Sequence, residues 1–253
     1  MLCWKELPNE ILYEIFEQLK SNFVLHDLVE CQLVCKNWRK HASFILYRKL
    51  TFDGCLQGEK LIECMQNSSL RSLVHEINFW RNRRIDNERI MSLIYKLAET
   101  CPNIEIFKDN LRINHWKALG GAVRSYWKQL KQLPEPHWSM YNDENTFANY
   151  YTVATVCRRT LTHLVLPPVH PTNPQFTRVL PQLPFFISLT HLTVEPSYYN
   201  PTLMDFDEVI NQCSNLMCFT IDPYLMVFDR NSDYFKRYDI LSIQPHFKLK
   251  DLW

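Results

Sequence analysis

The sequence predicts an α/β chain in two parts. A trio of helices occupies residues 1–49, and an irregular solenoid of short parallel strands with helical returns, about seven units long, occupies residues 50–253. Three observations predict it. One broad apolar stripe follows Pro8, apolar residues recur in the same local spacing every 26 to 33 residues from Leu50 onward, and prolines collect just beyond those recurring segments.

In the first part, Ile11, Leu12, Ile15, Phe16 and Leu19 fall at i, i+1, i+4, i+5 and i+8, one face of a helix of 3.6 residues per turn. Glu10, Glu14, Glu17 and Lys20 take the other side. Asp27 followed by Glu30 reads as a capping box opening a second helix, with Leu28, Cys31 and Cys35 on one side and Val34 beside them. A third helix is expected from Trp38 to about Leu46. So few residues bury too little surface to be comfortable alone, so the trio is expected to lean on another surface.

Leu7-Pro8, Glu10-Ile11-Leu12, Ile15-Phe16, Leu19, Leu28, Cys31, Val34-Cys35, Lys36 and Trp38 resemble an F-box in order and spacing. The resemblance implies that the trio docks on a Skp-type adaptor, which ties it to a cullin scaffold and a RING ubiquitin ligase, the SCF complex. The residues matching the adaptor-facing part of that motif are Leu7, Pro8, Ile11, Ile15, Leu19, Leu28, Val34 and Trp38.

Beyond residue 50, the segments starting at Thr160, Ser188 and Asn215 share apolar residues in an L-x-x-L-x-L spacing: Leu161, Leu164 and Leu166; Leu189, Leu192 and Val194; Leu216, Phe219 and Ile221. Weaker copies extend the series, so that Leu50, Ile77, Phe107, Leu133, Leu164, Leu192, Phe219 and Leu252 form one set of anchors. Between them, Glu59 to Cys64, Asn87 to Glu99, Trp116 to Trp127, Phe147 to Arg159 and Phe206 to Gln212 read as helical returns. The stripe Ile90, Leu93, Ile94, Leu97 and Ala98 is the clearest of them. Pro167, Pro168, Pro171, Pro174, Pro196, Pro201 and Pro223 lie just past expected strands, where ladder hydrogen bonds end. Long exposed loops are expected at 133–145 and 224–238.

The repeated pattern resembles leucine-rich repeats. Cys101, Cys157 and Cys213, each just before a strand, resemble the cysteine-containing variety that often follows an F-box. The Asn or Cys usual after the strand is replaced here by Pro167-Pro168, Glu195-Pro196 and Asp222-Pro223, and the fourth unit is barely visible, so the units are expected to be uneven. The ending KLKDLW enters an eighth strand at Trp253, which suggests a truncated C-terminus or a strand acting as an abrupt cap.

With 28 Lys and Arg against 27 Asp and Glu, charge offers no general case for a nucleic acid or membrane partner. No apolar run reaches the length of a membrane span, and the start lacks the order of a secretory signal, so cytoplasm and/or nucleus is the expected location. Nine cysteines without an export signal read as reduced thiols packed as small hydrophobes, and none stands at zinc-ligand spacing. No cofactor motif, hydrolase elbow, metalloprotease or Walker sequence occurs, so the chain is not expected to be an enzyme.

His163 and His191 occupy equivalent places in Leu-Thr-His-Leu. They would stack one strand spacing apart, facing outward between inward leucines. Arg81, Arg83 and Arg84 after Trp80 form the densest basic cluster, readable as a solvated loop or as a phosphate or acidic-peptide contact. Tyr198, Tyr199, Asp222, Tyr224 and Asp229 also fall at strand exits. If the strand faces are exposed, the candidate substrate surface comprises Thr162, His163, Val165, Thr190, His191, Thr193, Met217, Cys218 and Thr220. The resemblance implies a non-catalytic substrate-recognition adaptor of an SCF-type ligase, binding an unidentified protein substrate. The alternative is an F-box and leucine-rich-repeat interaction scaffold without ligase function.

Overall fold

A computed structural model describes residues 7–21, 25–80, 87–108, 110–111, 113–136, 144–166, 179–194, 210–221 and 251–252. The expected arginine cluster at residues 81–84, the exit tyrosines and aspartates, and the prolines after the strongest apolar segments lie outside these residues.

The chain opens with α1 (Asn9–Ser21), α2 (Leu25–Val34) and α3 (Lys36–Arg48). The α1 stripe buries Leu12 and Phe16, and with Leu28, Ala42 and Ile45 these close a small core separate from that of the rest of the chain. The trio therefore buries a small centre of its own, and it also leans on the part of the chain that follows, as expected from its length. Two expectations are corrected. Asp27 lies within the first turn of α2, not ahead of it, so no Asp27–Glu30 capping box forms; its carboxylate instead favours the positive end of the helix dipole. Helix α3 starts two residues before Trp38 because the Cys35 side chain caps it, its Sγ accepting from the Trp38 N–H at 3.5 Å.

Strand β1 (Lys49–Asp53) follows α3 with no linker. Helix α4 (Gly54–Met65) begins at once after β1, five residues earlier than the expected return. That abrupt turn uses Gly54, whose φ of 73° lies in the left-handed region that a Cβ penalises. Gln57 Oε1 accepts the Asp53 N–H at 2.7 Å and closes the corner. The chain continues through β2 (Glu76–Trp80), α5 (Asn87–Thr100), β3 (Ile106–Lys108), β4 (Asn110–Leu111), α6 (Ile113–Ser125), β5 (Glu135–Pro136), α7 (Glu144–Val156), β6 (His163–Leu166), β7 (His191–Val194), β8 (Cys218–Ile221) and β9 (Asp251–Leu252). A 3-10 turn at Leu180–Phe185 stands between β6 and β7, where Pro184 removes an N–H an α-helix would need, while Pro181 falls in the first turn, which tolerates proline.

Every strand pairing among the described residues is parallel. Strands β1-β2-β3 form one sheet, β4-β5 a second, and β6-β7-β8-β9 a third. Leu50, Ile77 and Phe107 are register partners, as are Leu164, Leu192, Phe219 and Leu252. The equal spacing of anchors thus corresponds to equal positions across the ladders. The ladder thins in the middle, where among the described residues isolated bridges from Gln132 to Ile106 and His163 join the first sheet to the third. Leu133 and Pro134 are buried and Glu135–Pro136 pair with β4, so the start of the expected loop at 133–145 is ordered.

The helices make a second layer in which α4, α5, α6 and α7 each pack on the next. Ile90, Leu93, Ile94, Leu97 and Ala98 of α5 are all buried, as the stripe requires. Corners are linked by side chains reaching one unit back. Asn103 Nδ2 donates to the Ser72 carbonyl at 2.9 Å, Thr160 to Leu130 at 2.7 Å, Ser188 to Arg159 at 2.7 Å and Asn215 to Ile187 at 2.6 Å. Cys101, Cys157 and Cys213 sit buried at corners, where burial pushes their thiols up to about 11, 12 and 12. The Trp127 indole donates to the Cys101 carbonyl at 2.9 Å and packs 5.3 Å from the Phe107 ring, anchoring the corner that follows α6.

Candidate functional site

Two surfaces gather the residues singled out by the sequence. On the helical trio, Ile11 is 43 % and Val34 49 % exposed, while Pro8 is exposed where its carbonyl accepts the Leu12 N–H and starts α1. Leu7, Ile15, Leu19 and Trp38 are half-buried against the small core; the Trp38 ring meets Phe16 edge-on at 5.5 Å. Leu28 is wholly buried and holds the trio together, so it presents nothing to a partner. The spacing missed Val29, 48 % exposed, and Leu33, 70 % exposed. Their signal was present in LHDLVECQLV: Leu28 and Cys31 supply one apolar side of α2, and Val29 and Leu33, four apart, supply another. A helix apolar on two sides within so small a unit leaves one of them uncovered.

The trio is tied to the first sheet. The Arg48 carbonyl accepts the His75 N–H at 2.8 Å, its guanidinium donates to Tyr13 Oη at 2.7 Å and lies over the Phe44 ring, and Phe44 in turn meets the His75 ring. Lys20 Nζ donates to the Ile45 carbonyl, and burial pulls its pKa down.

The second surface is the sheet face opposite the buried anchors. Strand alternation sends Leu164, Leu166, Leu192 and Phe219 inward and leaves His163, Val165, His191, Thr193, Cys218 and Thr220 half-exposed. Thr162, Thr190 and Met217 precede the strands at the same level of exposure. Six of the nine candidates therefore lie along one side of β6, β7 and β8, and the other three sit at the strand entries. His163 and His191 are register partners whose rings stack at 4.2 Å, 7° from parallel. Thr162 Oγ1 lies 2.8 Å from His163 Nδ1, and Thr190 Oγ1 2.8 Å from His191 Nδ1. Burial pulls the His163 pKa down, and His191 and Lys108 add to the shift.

On the first sheet the same face carries charge pairs. Glu76 Oε1 lies 3.0 Å from Lys49 Nζ and 3.3 Å from Lys108 Nζ, and Glu105 binds Lys131 Nζ at 2.9 Å with His75 Nδ1 3.6 Å away. Burial would raise the Glu76 pKa, but the two lysines outweigh it and hold the carboxyl below the usual range. Among the described residues no group of three or more His, Cys, Asp or Glu could hold a metal ion. No described helix is long and apolar enough to cross a membrane.

No curated protein matches the chain. Residues 4–53 match the family model for F-box-like domains, a span that runs through α1, α2, α3 and β1. The N-terminal part of this chain is an F-box-like domain.

Proposed function

We propose that the chain is the substrate-recognition adaptor of an SCF-type, cullin-RING ubiquitin ligase, acting in the cytoplasm or nucleus. In this reading the F-box-like domain binds a Skp-type adaptor through Pro8, Ile11 and Val34 with Val29 and Leu33 beside them, and through the half-exposed edges of Leu7, Ile15, Leu19 and Trp38. The following parallel ladders are irregular leucine-rich-repeat units, and their outward face binds a protein substrate. No chemistry is done by this chain; it raises the effective concentration of substrate lysines near the ligase's loaded ubiquitin.

The observation that carries the reading is an F-box-like domain joined without a linker to parallel strands whose outward residues stay half-exposed. Support for repeats comes from the in-register anchors Leu164, Leu192 and Phe219. The test is capture of a Skp-type adaptor and cullin by the intact chain, with a known F-box protein as positive control. Retention of both by the control and of neither by this chain removes the ligase reading. The scaffold alternative gains if the adaptor is retained but substrate turnover is unchanged on deleting residues 1–49.

A further inference from the structure

We propose that the stacked imidazoles of His163 and His191 form an oxyanion-receiving site that takes an acidic group of a protein segment laid across β6 and β7, gaining a proton as it binds. The proposal deepens the substrate-binding reading of the sheet face and rests on it.

The hydrogen bonds prepare each ring for that proton. Thr162 Oγ1 donates its one hydrogen to the Lys131 carbonyl at 3.1 Å, and Thr190 Oγ1 donates to the Thr162 carbonyl at 3.2 Å. Each hydroxyl can then only accept from its histidine, so Nδ1 carries the hydrogen of both 2.8 Å contacts. Nε2 is left as the basic nitrogen of each ring, and among the described residues neither Nε2 has a hydrogen-bond partner. A proton arriving there turns Nε2 into a donor without disturbing the Thr bonds. Two imidazolium rings stacked at 4.2 Å would repel, so the pair takes one proton far more readily than two.

An anion is the group that would stabilise that proton, because the immediate register neighbours of the two rings carry no carboxylate. Lys108 acts on His163 from two strands away and two residues further along the register, and it shares the single charge of Glu76 with Lys49. Gln132, the register neighbour of His163, is neutral, and Cys218, the neighbour of His191, is a thiol next to Thr220 at 3.7 Å. Asp251 takes the next register position, about 10 Å from His191 across two strand spacings and so about a Debye length away. Among the described residues of β6, β7 and β8 this face otherwise carries neutral Val165, Thr193 and Thr220, and the Glu105–Lys131 pair with His75 lies toward the first sheet.

The test follows histidine Cε1–H signals of the intact chain by NMR from about pH 8 to about pH 5.5, alone, with sulfate, and with an oligoglutamate peptide. Sulfate presents a tetrahedral oxyanion of constant charge over this range, and the peptide presents carboxylates. Either probe is expected to raise the midpoint of the pair by about one pH unit, with binding about tenfold tighter at the acid end. A response to sulfate alone assigns a phosphate-like group, and a response to oligoglutamate alone assigns carboxylates. No midpoint movement with either probe overturns the proposal, as does binding whose pH dependence persists in the His163→Gln, His191→Gln double variant. The wild-type titration decides the matter even if that variant misfolds. Neither measurement involves the adaptor, so failure of adaptor capture would remove the ligase reading and leave this result standing.

Discussion

Truncating Leu33 and Val29 to alanine separates docking surface from core within one helix. Fully burying a leucine or valine side chain contributes about 2 kcal/mol. Leu33 is 70 % and Val29 48 % exposed, so most of that contribution is unspent in the free protein and becomes available when a partner covers them. Their combined loss on binding is roughly 2 kcal/mol, or about 30-fold in Kd. Thermal stability of the free chain should barely change, since little packing is removed. Leu28→Ala is the internal comparison: its side chain is wholly buried, and the cavity left behind should cost about 2–5 kcal/mol of stability. The assay is a titration of immobilised Skp-type adaptor with each variant, alongside thermal unfolding of each variant alone. Unchanged affinity in the Val29→Ala, Leu33→Ala variant with an intact fold would refute the assignment of this face.

Three further outcomes test the fold and its charges. Gly58→Ala should destabilise by about 1–3 kcal/mol in thermal unfolding, because an added Cβ would stand 2.9 Å from both Leu93 and Phe52 side chains where α4 meets α5 and β1. With thiol alkylation followed by mass spectrometry at about pH 8, exposed Cys64 should label quickly while Cys101, Cys157 and Cys213 label only on unfolding, being both buried and held as thiols. Glu76 has a depressed folded pKa, so its stabilising contribution is present above the unfolded value of about 4.3 and is lost as pH falls through the folded value. Glu76→Gln should therefore lower stability at neutral pH and lose most of that effect once the pH has fallen through the folded value; an equal effect at neutral and acid pH would contradict the lysine pairing.

Much of the scaffold was legible in residue spacing. The α5 stripe is buried residue for residue, and anchors chosen by their place in the repeated apolar spacing became register partners on either side of Leu133, because a parallel ladder places equivalent residues of successive units side by side. The weak fourth unit was legible too, as a ladder reduced to Gln132 bridges. Less visible were features made by contacts across the chain. The early start of α4 depends on one glycine accepting a left-handed turn, and the start of α3 on a thiol acting as a cap, a role that favours Ser, Thr, Asp and Asn by sequence preference. Within the candidate docking surface, the motif grouped Leu28 with Val34 although one faces the core and the other the solvent.

By itself, then, the sequence determined the F-box-like helices, the register of the strongest anchors and the outward place of His163 and His191. These follow from local periodicity, which the backbone converts directly into faces. Only the tertiary structure decided which apolar face of α2 stays uncovered, how closely His163 and His191 stack, and how Glu76 is shared between two lysines. Each of those depends on side chains from different segments meeting in space, and periodicity along one segment carries no distance to another.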